Sequence, residues 1–476
     1  MGRGGTLRYP LPPMPRLLVL DVVGLTPKLL ASGRMPRLAA HAARHGLRRI
    51  EPGLPAVTCS VQASMLLGVP PEVHGAVANG WYFRDLAEVW LWRQSVHLVD
   101  GGGRRPSVHH RWRERFGSPT AQLFWWWNLP GHADLSVTPR PTYHADGRKS
   151  PDVHAWPHPL RDRLTQRLGT FPLFSFWGPG AGIASTRWIV GATLDVLAED
   201  RPGLTLAYLP HLDYDLQRFG PDDPRALDAA ADVDVEAGRL LDAAEAAGDL
   251  DVLVVSEYGL TPVRRAVEPN RALRRAGLLA AHPAGNGALL DPGHSRAFAV
   301  CDHQVAHVYV ADPADVDAAA DLLGALDGVG EVLVGAERAR VGLDHPRSGE
   351  VVLLAERDAW FAYPYWCPEL GDREPDFART VDIHRKPGYD PCELFLDPHR
   401  PLLKARLGVK LLLKRLGCRV LFDPVPLDPS LVRGSHGLAP AEPADGPVWI
   451  GPERWAPGPH EAIPAHRALA GVAPAD

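Results

Sequence analysis

RLLVLDVVG at residues 16–24 reads as a buried strand: an unbroken apolar run from Leu17 to Leu20 meets Asp21 and then a turn at Gly24. A strand apolar on both faces belongs inside a parallel sheet covered by helices. Two further runs have this shape, LTLAYL at 204–209 and DVLVVS at 251–256, with a helical segment at 224–247 between them. A helical stretch at 35–45, a short strand at 47–50 and a helix from Thr58 to Leu67, closed by Gly68 and Pro70, fill the N-terminal part. This strand–loop–helix–strand order predicts an α/β fold. Open α/β sheets bind ligands outside the carboxyl ends of their strands, and three strands here run into an acid: Asp21, Asp213 and Glu257.

The 476 residues carry 51 Lys+Arg against 56 Asp+Glu, a formal net charge of −5, which argues against a nucleic-acid polymer as partner. At 45% hydrophobic and 22% charged the chain is no disordered polymer. Five cysteines without a CxxC pair make no disulfide framework and point to a reducing compartment. No run approaches the roughly 18 apolar residues of a membrane helix, and Leu17–Leu20 is too short for a signal-peptide core. The expected location is the cytoplasm, with no membrane partner. Composition leaves the oligomeric state open.

Outside the core rhythm, residues 81–180 are rich in Trp and Pro and read as an aromatic insertion near the mouth of the site. Its tryptophans either stack a ligand ring or form the insertion's own core. Residues 285–365 contain a strand, a helix, a second strand and a hairpin at 351–363, a small α+β cap. The expected division is 1–284 for the first part of the core, 285–365 for the cap and 366–476 for the last part of the core.

Thr58 opens its helix, where backbone N–H groups and the dipole favour an anion. A hydroxyl there either caps the helix or acts as a nucleophile. Taken together, VLDVVG, PAVT at 55–58, GVPPEVHG at 68–75 and Asn79 resemble the opening of the type I phosphodiesterase/nucleotide pyrophosphatase family, within the alkaline phosphatase superfamily. The resemblance implies an alkaline-phosphatase-like core, a central mixed sheet flanked by helices, with a small α+β cap. It implies metal-dependent hydrolysis of a phosphodiester, pyrophosphate or related phosphorus ester of small-molecule size. Asp21 is then a metal ligand, Thr58 the metal-bridging nucleophile and Asn79 a contact to a phosphoryl oxygen.

Later segments resemble the family but change its ligands. In YLPHLDYDLQ at 208–217, Asp213 is kept and Gln217 replaces a histidine. In VLVVSEYGL at 252–260, Glu257 and Tyr258 replace an Asp-His pair. RGSHG at 433–437 resembles the terminal segment that makes His436 the last ligand, with His384 in DIHRKPGYDP as the alternative. The implied set of one or two divalent ions is therefore richer in oxygen than a zinc site. Zn²⁺ remains open, and Mn²⁺, Mg²⁺, Ca²⁺ or, with Tyr258 as phenolate, Fe²⁺ gain weight. Tyr258 otherwise serves as proton donor or orienting group, and His303 is expected to contact substrate. RGSHG also resembles phosphonoacetate hydrolase, so C–P hydrolysis or phosphoryl transfer is an alternative. The replaced imidazoles make a non-catalytic relative that binds a phosphorylated metabolite a further one.

Overall fold

The computed structural model describes residues 14–145, 148–459 and 462–472. Strand β1 (Arg16–Val22) is buried along its whole length. Its side chains alternate between two apolar layers, Leu17 and Val19 on one face, Leu18, Leu20 and Val22 on the other. Each such Leu or Val contributes roughly 1.5–3 kcal/mol by leaving water. After α1 (Pro36–His45) and β2 (Leu47–Glu51), helix α2 (Thr58–Leu67) is buried at all ten positions and ends at Gly68, whose φ of +77° suits a residue without Cβ.

The Trp-rich stretch supplies three short strands to the central sheet, β3 (Thr120–Leu123), β4 (Leu135–Pro139) and β5 (Val153–Trp156). Trp112, Trp125 and Trp127 are fully buried, so they are core rather than a ligand platform. Then follow α3 (Ile183–Glu199), β6 (Leu204–Leu209), α4 (His211–Phe219), α5 (Pro224–Ala247) and β7 (Leu250–Val255). A second sheet comprises β8 (Ala297–Asp302), β9 (Val305–Val310), β10 (Val329–Val334) and β11 (Val351–Ala355), with α6 (Val316–Gly324) packed on β10. The chain closes with α7 (Leu403–Arg415), β12 (Val448–Ile450) and β13 (Ala462–Pro464).

The central sheet has nine strands in the order β13-β2-β12-β7-β1-β6-β3-β4-β5. Strands β7, β1, β6, β3 and β4 are mutually parallel, while β12 and β5 run antiparallel to β7 and β4. This is the mixed, helix-flanked sheet that the motifs imply. Asp21 lies opposite Tyr208 on β6 and Val255 on β7, so the acids following these three strands converge at one edge.

The smaller sheet is antiparallel, in the order β8-β9-β11-β10. Residues 351–363 do not form the expected hairpin. Strand β11 lies between β9 and β10, and Ala359–Phe361 pairs in parallel with Arg265–Val267. The β8–β9 turn holds His303 at φ +58°, a left-handed conformation costly for a residue with a Cβ. Among the described residues no helix is long and apolar enough to cross a membrane.

Candidate active site

Asp21 lies near the end of β1 and Glu257 just past β7, both wholly buried. Gln62, one turn along α2 from Thr58, donates its carboxamide N–H to Asp21 Oδ2 at 3.2 Å and to Glu257 Oε1. Its oxygen accepts the backbone N–H of Trp126 at 2.5 Å, which decides which end of the amide faces the acids. Asp21 Oδ1 and Glu257 Oε2 are buried without a hydrogen-bond partner. Burial, and then the neighbouring Glu257, hold the Asp21 carboxyl well above the usual carboxylate range, and burial raises Glu257 as well. Two buried like charges side by side call for a proton or a cation.

Thr58 follows Val57 as the first residue of α2, and neither side chain caps the helix. The Thr58 hydroxyl instead lies 3.2 Å from that of Tyr258, which lies 3.5 Å from Asp213 Oδ1. Gln217, one turn beyond Asp213 on α4, donates to Asp213 Oδ2 at 2.6 Å and accepts from the Tyr389 hydroxyl at 2.9 Å. Both oxygens of Asp213 thus face neutral donors, and burial raises its carboxyl to about 7. Burial with Asp213 and Glu257 nearby pushes the Tyr258 phenol well above its ordinary value, so without a cation beside it Tyr258 keeps its proton and donates.

Four rings form a column beside these groups. Tyr258 stacks on His436 at 3.6 Å, His436 lies 3.7 Å from His303, and His303 stacks on Tyr389 at 3.8 Å. His436 Nδ1–H donates to the Ala56 carbonyl at 2.7 Å, which leaves Nε2 as a lone pair 3.8 Å from Asp213 Oδ1. His303 Nδ1–H donates to Asp302 Oδ1 at 2.7 Å, and its Nε2 is buried without a partner. Burial lowers both imidazoles well below their ordinary value. Asn79 donates its backbone N–H to Asp302 Oδ2 at 2.6 Å and its carboxamide to Oδ1 at 3.1 Å, while its own oxygen accepts the Cys59 N–H at 2.9 Å. It therefore ties the start of α2 to the β8–β9 turn.

The structure gathers Asp21, Thr58, Asn79, Asp213, Gln217, Glu257, Tyr258, His303 and His436 in one place. His384 is exposed, its backbone N–H donating to Asp382, and it makes no contact with the acids. Sequence reading missed Gln62, Asp302 and Tyr389. Gln62 carried a signal, the four-residue step from Thr58 that puts both on one helix face. Asp302 and Tyr389 reach the site only through long-range pairing.

Among the described residues, no group of three or more His, Cys, Asp or Glu is arranged to hold a metal ion. The expected ligands divide into two halves. Asp21, Glu257 and the Thr58 hydroxyl present oxygen alone, with two carboxylate oxygens unpartnered. They fit one hard divalent cation, which takes few protein ligands and fills its shell with water or phosphate. Asp213, Gln217, Tyr258 and His436 do not fit a second, because an amide N–H and a hydroxyl occupy the carboxylate.

A family model described as type I phosphodiesterase / nucleotide pyrophosphatase matches residues 17–390. An uncharacterised pyrophosphatase/phosphodiesterase of Schizosaccharomyces pombe is 24% identical over 256 residues, 52% of this chain and 45% of that protein, so the match spans less than half of the relative's length. Phosphonoacetate hydrolase from Sinorhizobium meliloti, in complex with phosphonoacetate, aligns at TM-score 0.59 and 18% identity, covering 98% of this chain and 97% of that one. Murine ectonucleotide pyrophosphatase / phosphodiesterase 5, in an inactive form in complex with AMP, aligns at TM-score 0.55 and 14% identity, covering 96% and 94%. At these identities the two structures show the shared alkaline-phosphatase-like fold.

Proposed function

The chain belongs to the type I phosphodiesterase/nucleotide pyrophosphatase family of hydrolases, and on that premise we propose that it cleaves a small phosphorus ester with Thr58 as nucleophile and one divalent cation held by Asp21 and Glu257. One observation carries this reading. Two buried, unpartnered carboxylate oxygens adjoin the face of α2 that bears a hydroxyl unused by its own helix.

A cation bound there would polarise a phosphoryl oxygen and favour the alkoxide of Thr58. The chain's own groups do the rest. The start of α2 offsets the negative charge of the phosphoryl group. Thr58 Oγ bonds to phosphorus while the bond to the leaving oxygen breaks, and the Thr58 proton passes through the Tyr258 hydroxyl to Asp213, along contacts of 3.2 and 3.5 Å. Water then displaces Thr58 from phosphorus, its proton passing through solvent to the departed leaving oxygen, and the proton held on Asp213 returns through Tyr258 to Thr58 Oγ. Gln217 and Tyr389 hold Asp213 in place, and His303 Nε2 offers a buried acceptor to a ligand hydroxyl. The five unpaired cysteines support a reducing compartment, the cytoplasm.

A second reading, binding of a phosphorylated metabolite without turnover, draws on Gln217 and Tyr258 standing where the family places metal-binding imidazoles. Hydrolysis of bis-(p-nitrophenyl) phosphate and p-nitrophenyl phosphate separates the two. The metal-stripped protein is assayed after adding Mg²⁺, Mn²⁺, Ca²⁺, Zn²⁺ or Fe²⁺, beside Thr58→Ala. Metal-dependent release that Thr58→Ala abolishes supports the hydrolase, and no release with any ion from folded protein favours the binder.

A further inference from the structure

Helix α7 touches the rest of the protein along one edge, where Leu403 and Leu407, one turn apart, are its buried residues. At 100° per residue Ala405, Val409 and Leu412 share the opposite face, and Leu416, the residue that ends the helix, continues their line. Val409 and Leu412 are each 58% exposed and Leu416 72%. A single exposed leucine needs no explanation, but a helical stripe turned away from its own core does.

The charge around the stripe is of one sign. Residues 398–422 contain seven Lys and Arg and no Asp or Glu, in a chain of net charge −5. Arg400 and Lys410 are paired with Asp423. Among the described residues Lys404, Arg406, Lys414 and Arg415 form no ion pair. On the helical wheel Lys404 and Arg415 border the apolar stripe on one side and Arg406 on the other. The stripe covers about three turns, roughly 17 Å, too short to cross a bilayer but long enough to lie along one.

We propose that α7 is an interfacial helix that lays Ala405, Val409, Leu412 and Leu416 on an anionic lipid surface, with Lys404, Arg406 and Arg415 at the level of the lipid phosphates. Charge complementarity selects this occupant. A second copy docked stripe to stripe would bring the unpaired cations of both helices together, which opposes association. A nucleic acid would leave the leucines in water. The inference is independent of the chemistry assigned to Thr58.

The test is co-sedimentation of the full chain with vesicles of phosphatidylcholine alone and of phosphatidylcholine containing phosphatidylserine, at low and high salt. The protein is expected to sediment with the anionic vesicles at low salt and to remain largely in solution with the neutral ones. Val409→Asp with Leu412→Asp lowers the partition coefficient by more than about tenfold, and each of Lys404→Gln and Arg415→Gln by roughly fivefold. These side chains are exposed, so the variants should melt at the parent's temperature, which excludes unfolding as the cause. Failure to sediment with anionic vesicles, equal binding to neutral ones, or undiminished binding by the double Asp variant overturns the proposal. So does a solution mass of two chains that the double variant returns to one, which assigns the face to self-association.

Discussion

The Thr58 hydroxyl lies 3.2 Å from the Tyr258 hydroxyl and takes no part in capping its own helix, whose Cys59 N–H bonds to Asn79 Oδ1 instead. The capping position is held by Val57, one residue earlier, so the Thr58 hydroxyl is free to face a phenol that in turn reaches Asp213. Removing that phenolic oxygen in Tyr258→Phe should lower kcat by about 10²–10⁴-fold, the range for a lost proton-transfer group, with KM little changed. Steady-state kinetics on bis-(p-nitrophenyl) phosphate check this, and an unchanged kcat would remove Tyr258 from the route.

At a pH high enough to ionise both carboxyls, Asp21 and Glu257 oppose one another in the metal-free protein. Asp21→Asn should therefore stabilise the metal-free fold, by roughly 1–2 kcal/mol, while abolishing turnover. Thermal melting in the presence of a chelator, beside the activity assay, separates the two effects. A lower melting temperature for the variant would contradict the reading of the pair as uncompensated.

The same pair sets how metal stabilisation depends on pH. Burial raises both carboxyls, so the folded protein favours their protonated forms and loses that advantage as pH rises through the raised values. A cation needs the ionised forms. The rise in melting temperature on adding Mn²⁺ should accordingly be larger at pH 8 than at pH 6. A melting series with and without the ion at both values measures it, and an equal rise at both would be inconsistent with carboxylate ligation.

Away from the site, His109 is wholly buried with Nε2 2.9 Å from Gln122 Oε1, and burial lowers it to about 3. The unfolded chain takes up this proton near pH 6.5, so the contribution of neutral His109 is complete above about 6.5 and declines toward 3, by roughly 1.4 kcal/mol per pH unit. His109→Gln should lose this dependence: its urea stability should fall less than the parent's between pH 7.5 and 5.5, by about 1.4 kcal/mol. Parallel curves for the two proteins would show that His109 is already protonated in the fold.

Much of the core was legible because its signals are local. The apolar run before Asp21 and those at 204–209 and 251–256 are strands buried on both faces, and each leads into an acid. The strand Thr120–Leu123 offers no such pattern; it exists because β6 and β4 pair with it on either side. In the site, Gln62 could be found from helical spacing, whereas Asn79 meets Asp302 across 223 residues, a pairing no motif announces. His384 and His436 looked alike beside their glycines. What separates them is the bond from His436 to the carbonyl of Ala56, 380 residues away, which turns the imidazole toward Asp213.

Whether one cation sits between Asp21 and Glu257 is read out by calorimetric titration of the metal-stripped protein with Mn²⁺. One equivalent per chain is predicted, lost in Glu257→Gln and retained in Asp213→Asn. Two equivalents, or one that survives Glu257→Gln and disappears with Asp213→Asn, would contradict it.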